Sequence, residues 1–360
     1  MIPVTKPFLP PIEEYQKLLT NIWTRQWLTN NGPLVNELEH KLKDYFELEN
    51  LLYVSNGTIA IQLAIKALNL SGEIITTPFS YVATTSCIVW ENCNPVFVDI
   101  HPLTLNIDPE LIEAKITSKT TAILATHVFG NPCDIESIER IAQKHNLKVI
   151  YDAAHCFGTK YKNKSVFAYG DISTTSFHAT KLFHTVEGGA VFTGSKILLK
   201  QLEILRNFGH NGPESFAGLG INGKNSEFHA AMGVLNLNYI QSILDQRKLL
   251  SERYSKNLVN FSCQYQLITN DTHYNYSYFP IILASEDQLK HVISVLNANR
   301  IFPRRYFYPS LNSLPYVNDT GDLNNSDSIS KRIICLPLYH TLNIEDVDYI
   351  CMILKNIETS

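Results

Sequence analysis

Three short stretches of this 360-residue sequence carry side chains able to do chemistry together. In STTSFHATKLFHTVEGGAVF (173–192) a β-like segment runs into Lys181, and a Glu-Gly-Gly turn then leads into the next strand. An ammonium at the end of a buried strand loses hydration, so its pKa falls toward the range where the neutral amine attacks a carbonyl. A surface lysine with a snorkelling side chain is the competing reading. In VIYDAAHCFG (149–158) Asp152 closes an apolar strand at its C-terminal end, the edge at which open α/β sheets bind ligands. A helix N-cap or turn aspartate is the alternative there. An acid in that place can pair with a pyridinium nitrogen and keep it protonated. In VSNGTIA (54–60) a strand is followed by Gly57 and Thr58 at a helix start, whose free amides and dipole would cradle a phosphate without any basic residue. Ser176 can add a hydroxyl, although serine in such a strand is often a backbone or solvent partner. A phosphate cradle, a ring-nitrogen acid and an amine nucleophile are the components of a pyridoxal-phosphate (PLP) site.

The elements that must position these groups alternate. From about residue 35 to 240, β-rich runs at 51–55, 73–77, 95–100, 121–128, 148–153, 173–179 and 189–194 are separated by helical patterns. That alternation predicts an α/β fold, a mostly parallel central sheet with helices on both faces. One helix starts beyond Asn56-Gly57-Thr58, another runs from near Asp134 to Asn146, and a third from Ser195 to about Phe208 stops at Gly209. A long helical stretch, Ser226 to Asn260, carries the chain out of the sheet. Residues 1–240 are expected to form an N-terminal arm and a large domain, and 241–360 a smaller C-terminal α+β domain.

The composition permits this and narrows the function. With 45% hydrophobic and 18% charged residues, the chain can bury a large core. A net charge of −4 and a pI near 6.3 provide no basic field for nucleic acid or a membrane surface. A bound phosphate must then be held locally. The N-terminus lacks a signal-peptide pattern and no apolar run would span a bilayer, so a cytoplasmic protein is expected. Seven cysteines with no C-x-x-C pair read as reduced, mostly buried thiols.

The chain resembles the StrS/DegT-type family of PLP-dependent nucleotide-sugar aminotransferases, through NGT (56–58), TPFSYVATTS (77–86), THVFGNPCD (126–134), DAAH (152–155), SFHATKLFHTVEGG (176–189) and GINGKNSEFHAAMG (220–233). The resemblance spans nearly the whole length and implies the fold type I PLP-transferase architecture. It implies that Lys181 is the Schiff-base lysine and Asp152 the pyridine-nitrogen partner. It further implies that Gly57, Thr58 and Ser176 hold the cofactor phosphate, that Tyr81 stacks on the ring and that His155 faces the ring hydroxyl. Family members more often carry glutamine at that last position, which leaves the charge state of His155 open. Asn222 matches an asparagine that reaches the partner subunit's cofactor phosphate, so the resemblance implies a homodimer with shared sites. Lys224 stands where the family usually has arginine, which puts a bidentate role there in doubt.

Within the family, the opening IPVTKPFLPP, WLTNNGPLV (27–35), THVFG and NSEFHAAMG resemble the subgroup that makes dTDP-4-amino-4,6-dideoxyglucose from the 4-keto sugar with glutamate as amino donor, a building block for O-antigen and similar glycans. Trp27, Asn30 and Asn31 are then candidate substrate contacts, as are Arg304, Arg305, Tyr306 and Tyr308 of FPRRYFYPS (302–310), against packing and a solvated edge respectively. The partners expected are a dTDP-keto-deoxysugar and glutamate or 2-oxoglutarate. Three other readings compete. His127, His155, His178 and His184 gather near the Asp152 strand end, but without metal-ligand spacing. A non-catalytic scaffold of the same fold would have no need of Lys181 and Asp152. A sugar 3-dehydratase of this fold type replaces the lysine by histidine. Amination at C-3 instead of C-4 is not separable by these residues.

Overall fold

The computed structural model describes residues 1–317, 321 and 323–358. The chain opens with a short strand β1 (Ile2–Pro3) and helices α1 (Ile12–Arg25) and α2 (Pro33–Phe46). An alternating region follows: β2 (Leu51–Val54), α3 (Gly57–Ala67), β3 (Glu73–Thr76), α4 (Val82–Trp90), β4 (Asn94–Phe97), β5 (Thr120–Thr126), α5 (Ile135–His145) and β6 (Lys148–Asp152). It continues through short β7 (Lys160–Tyr161) and β8 (Lys164–Ser165) to β9 (Ile172–Ser176), β10 (Gly189–Phe192) and α6 (Lys196–Arg206).

The seven expected strands form one sheet in the order β2-β10-β9-β6-β5-β3-β4. Strand β10 runs antiparallel to both neighbours, and β9, β6, β5, β3 and β4 are parallel. Side chains alternate between the two faces, as strand geometry requires. Leu51, Tyr53, Val149 and Tyr151 enter one apolar cluster with residues of α2, α5 and the later helix α7 (Glu227–Asn238), whereas Leu52, Val54 and Ile150 enter another with α3 and α6. Both faces are therefore covered, which is why these strands read as nearly unbroken apolar runs.

Helix boundaries follow local capping. Asn56, Asp134 and Ser195 accept first-turn amides of α3, α5 and α6 through their side chains. The single long helix expected over 226–260 is instead two, α7 (Glu227–Asn238) and α8 (Ile240–Asn257), broken at Tyr239. Buried Asn236 explains where α7 is held, since its amide donates to the His184 carbonyl at 2.9 Å. Helix α6 ends at Arg206, short of the expected Phe208, because the chain then turns through positive φ at Phe208 and Gly209.

Helix α8 begins on the sheet's core with Ile240 and Ile243 and ends in a second core with Leu250, Tyr254 and Leu258. That second core is built on β12 (Phe279–Ile282), α9 (Glu286–Ala298), β13 (Ile301–Phe302), β14 (Ile333–Leu336) and α11 (Ile344–Glu358), after β11 (Thr272–His273) has paired with β7, while α10 (Asn324–Arg332) sends Ile329 into a separate cluster with Phe79 and Phe307. The N-terminal arm joins it, because β1 pairs in parallel with β13. The last two positions of the expected 241–360 unit lie outside the described residues. Buried Asp99, just beyond β4, accepts the Asn325 and Ser326 amides of α10 at 2.8 Å each. Arg304 exchanges two backbone hydrogen bonds with Cys335 of β14. These contacts set the second unit over the C-terminal edge of the sheet.

Candidate active site

At that edge lies a cavity of about 340 Å³, lined by Gly57, Thr58, Tyr81, Asp152, His155 and Ser176 together with Lys181, Arg304 and Tyr306. Its size falls in the range of small-molecule sites. Lys181 is not the end of a strand. Strand β9 stops at Ser176, and the chain crosses to β10 in a wide loop held by Phe177 N–H to Gly188 O and Ala179 N–H to Val186 O. Lys181 occupies this loop, its amide donating to the His178 carbonyl. Its ammonium has no ion-pair or hydrogen-bond partner among the described residues. Burial pulls its pKa from 10.5 to about 8; Asp152 and Tyr81 push it back up and Arg304 pulls it further down. The side chain stays partly open to the cavity. A neutral amine is thus available close to neutral pH at a place a ligand can reach.

Asp152, the last residue of β6, is 6% exposed. Thr84 Oγ1 donates to its Oδ2 at 2.7 Å and Ala154 N–H to its Oδ1 at 3.1 Å. Burial raises its pKa, while the Thr84 and Ala154 bonds and the Lys181 ammonium lower it. Such a carboxylate is best relieved by a cationic partner inside the cavity.

Helix α3 points its N-terminus at the same space, and the geometry of a first turn leaves the Gly57 and Thr58 amides without intrahelical acceptors. Glycine is required at 57: a Cβ there would come within 2.9 Å of the Ser176 Cβ, so only glycine lets the helix start approach β9. The result is a small anion cradle of amides plus the Ser176 hydroxyl. The residues present therefore fit PLP on three counts, a cradle for its phosphate, a buried carboxylate for its ring nitrogen and a free amine for its aldehyde.

The structure also resolves the state of His155. The Phe129 N–H donates to its Nδ1 at 3.2 Å, so the imidazole is neutral with its proton on Nε2. Burial and the nearby Lys181 both drive its pKa well below the usual histidine value. The ring lies parallel to Phe129 and Phe307, at 6.2 and 5.9 Å between centroids. Its carbonyl accepts from Asn275 and Ser277. The ring is thereby held as a hydrogen-bond donor on the cavity wall.

The other expected residues divide between the cavity and the surface around it. Tyr81, 53% exposed, precedes α4 at the mouth. Arg304 lines the cavity with its guanidinium 4.7 Å from the Tyr306 ring. Tyr308 is turned away under the guanidinium of Arg305, which pairs with Glu286 at 3.0 Å. Trp27, Asn30 and Asn31 are not brought to this cavity. They sit on the α1–α2 loop, where Trp27 bonds the Thr29 carbonyl and both asparagines adopt positive φ. Asn222 is exposed outside its own chain's cavity, beside Asn207, and Lys224 donates to Asn207 Oδ1. Of the competing histidines, His155 and His178 line the cavity, whereas His127 stacks on Tyr151 and His184 bonds the Phe8 carbonyl. Among the described residues no three His, Cys, Asp or Glu side chains converge as a metal site.

Residues not anticipated from the sequence also line the cavity: Ser80, Thr126, Glu187 and Phe307, beside His178, which the sequence placed near this strand end only as a competing metal ligand. Ser80 lies in TPFSYVATTS and His178 and Glu187 in SFHATKLFHTVEGG, but residue type alone does not reveal which of several hydroxyls and acids face inward. Glu227 was missed as well. It is fully buried and caps α2 by accepting the Leu34 and Val35 amides at 2.9 Å each.

Known proteins agree with this geometry. The chain is 42% identical to the dTDP-4-amino-4,6-dideoxy-D-glucose transaminase of Shigella dysenteriae, over 99% of this chain and 98% of that protein. It is 38% identical to the Escherichia coli protein of the same name, over 96% of each. Among solved structures, DesI in the presence of its TDP-sugar product superposes with a TM-score of 0.94 at 28% identity, covering 99% of this chain and 93% of that one. The family model of the DegT/DnrJ/EryC1/StrS aminotransferases matches residues 11–355, and the chain belongs to that family.

Proposed function

We propose that this PLP-dependent aminotransferase moves an amino group from glutamate to the C-4 keto carbon of a dTDP-linked 6-deoxyhexose. The observation that carries the reading is the unpartnered, partly enclosed Lys181 amine facing buried Asp152 in the cavity of a chain 42% identical to such a transaminase. Bound PLP supplies an electron sink for breaking and remaking a C–H bond next to nitrogen. The chain's residues do the rest. Lys181 Nζ would hold the cofactor's aldehyde end and, as a free amine, would be the base placed to move a proton at the substrate carbon. Asp152 would hold the ring nitrogen protonated, His155 would offer its Nε2 proton to the ring oxygen, and the Gly57 and Thr58 amides with Ser176 would hold the phosphate. Exposed Arg304, over the buried Tyr306 ring, borders the cavity where a nucleotide diphosphate would lie.

A homodimer completes the site in this reading, Asn222 serving the partner's cavity; its exposure and its distance from its own cavity support that. The product would feed O-antigen or similar glycan assembly, and seven free cysteines suit a reducing cytoplasm. The test is product analysis with dTDP-4-keto-6-deoxyglucose and its 3-keto isomer, each supplied with glutamate. Amination of the 4-keto sugar is expected. Amination of the 3-keto isomer alone would reassign the enzyme to C-3, and no amino transfer to either would overturn the reading.

A further inference from the structure

Beside Asp152, along the cavity wall, runs a file of buried hydroxyls. Thr84 Oγ1 lies 2.7 Å from Asp152 Oδ2, Ser80 Oγ lies 2.8 Å from Thr84 Oγ1, and Thr126 Oγ1 lies 2.9 Å from Ser80 Oγ. All four side chains are buried, with Thr84 at 0%, Ser80 at 1% and Thr126 at 4% exposure. They come from separate elements: Ser80 from the turn before α4, Thr84 from its first turn, Thr126 from the end of β5 and Asp152 from the end of β6.

Counting protons fixes the direction of these bonds. Each hydroxyl has one proton and an ionised carboxylate has none. The proton between Thr84 and Asp152 is then that of Thr84, so Ser80 must donate to Thr84, and Thr126 to Ser80. Every O–H dipole points toward the carboxylate, and in a low-dielectric interior such aligned bonds reinforce one another. The reverse direction would need a proton on Asp152 and would leave the Thr126 hydroxyl donating to nothing, since no acceptor other than Ser80 stands within hydrogen-bond reach of it among the described residues.

We propose that Thr84, Ser80 and Thr126 are positioning residues, a one-way hydroxyl relay that keeps Asp152 ionised and aimed at the cofactor ring. The inference rests on the reading of Asp152 as the anion that faces the ring nitrogen. Burial by itself would favour the neutral acid; the relay supplies an opposing donor at Asp152 Oδ2, backed by Ser80 and Thr126, which also border the cavity. Of the three hydroxyls, Thr84 touches the carboxylate and acts most strongly, and Ser80 and Thr126 act through it in turn.

The test measures the dissociation constant of PLP from purified full-length protein, without any turnover. Thr84→Val keeps the shape and removes the donor, and its Kd should rise on the order of tenfold to a hundredfold, the range for a lost hydrogen bond to a charged group. Thr84→Ser keeps the donor and should stay within about threefold of wild type. Ser80→Ala and Thr126→Val should give progressively smaller losses. In an Asp152→Asn background, Thr84→Val should add less than about threefold, because no anion remains to be stabilised. Equal losses from Thr84→Val in both backgrounds, or a Thr84→Ser variant as poor as valine, would make Thr84 a packing residue and overturn the relay. A strong loss in Asp152→Asn with none in Thr84→Val would overturn the relay while leaving the role of Asp152 intact. No loss in Asp152→Asn would overturn that role, and the relay with it.

Discussion

The neutral fraction of the Lys181 amine is directly measurable in the cofactor-free protein. An ordinary lysine with a pKa of 10.5 is neutral to about 0.03% at pH 7, whereas one at about 8 is neutral to roughly 9%, about 300 times more. Brief labelling with acetic anhydride at a series of pH values, with the Lys181 peptide quantified by mass spectrometry against added N-acetyl-lysinamide, reads that fraction. The labelling rate should rise tenfold per pH unit and level off near pH 8, far below the reference. Limited access through the cavity scales all rates equally and leaves the inflection in place. Asp152→Asn should move the inflection lower, since Asp152 is the anion that favours the ammonium. Stability carries the same signature. Between about pH 8 and 10.5 the unfolded chain binds a proton at Lys181 that the folded chain does not, so stability rises with pH across that window. The cost below it is roughly 3 to 4 kcal/mol, from a drop of about 2.5 pH units at about 1.4 kcal/mol each. Lys181→Met should therefore stabilise the cofactor-free protein below pH 8 and lose that advantage above 10.5. An inflection near 10.5, or an upward shift in Asp152→Asn, would refute the reasoning.

Other outcomes follow from the same site. Asp152→Asn should lower turnover by orders of magnitude at saturating PLP, measured as kcat with glutamate and sugar ketone. Because the Phe129 N–H holds His155 Nδ1, ¹⁵N spectra of histidine-labelled protein should place the His155 proton on Nε2 with no titration between pH 6 and 8. His155→Gln, which keeps a donor, should retain activity within about tenfold, whereas His155→Phe should lose about tenfold more, near the cost of one hydrogen bond. Mixing Lys181→Ala and Asn222→Ala chains by co-refolding should restore activity toward half of wild type per mixed dimer, since one site receives both defects and the other neither. Absence of recovery would place Asn222 in its own chain's site.

What the sequence alone determined is what neighbours along the chain decide. Apolar runs bounded by turn residues located all seven sheet strands, and Asn56, Asp134 and Ser195 marked helix starts, because strand patterning and N-capping act within a few residues. Asp152 and Gly57 were legible for the same reason: a strand's end and a helix's start are local features, and sheet chemistry gathers ligands there. The tertiary structure decided everything that depends on which segments meet. Thr84 reaches Asp152 across 68 residues of sequence, and the direction of the hydroxyl file depends on all four groups being assembled. The neutral state of His155 is imposed by a backbone N–H 26 residues upstream. Within FPRRYFYPS, pairing with β14 delivers Arg304 and Tyr306 to the cavity while Arg305 and Tyr308 bind each other outside it. Trp27 and Asn30 lie in the loop before α2, whose first turn is capped by Glu227, 193 residues distant from Leu34. Sheet order is not chain order, so burial, pKa and the direction of each hydrogen bond arise only once the strands are side by side.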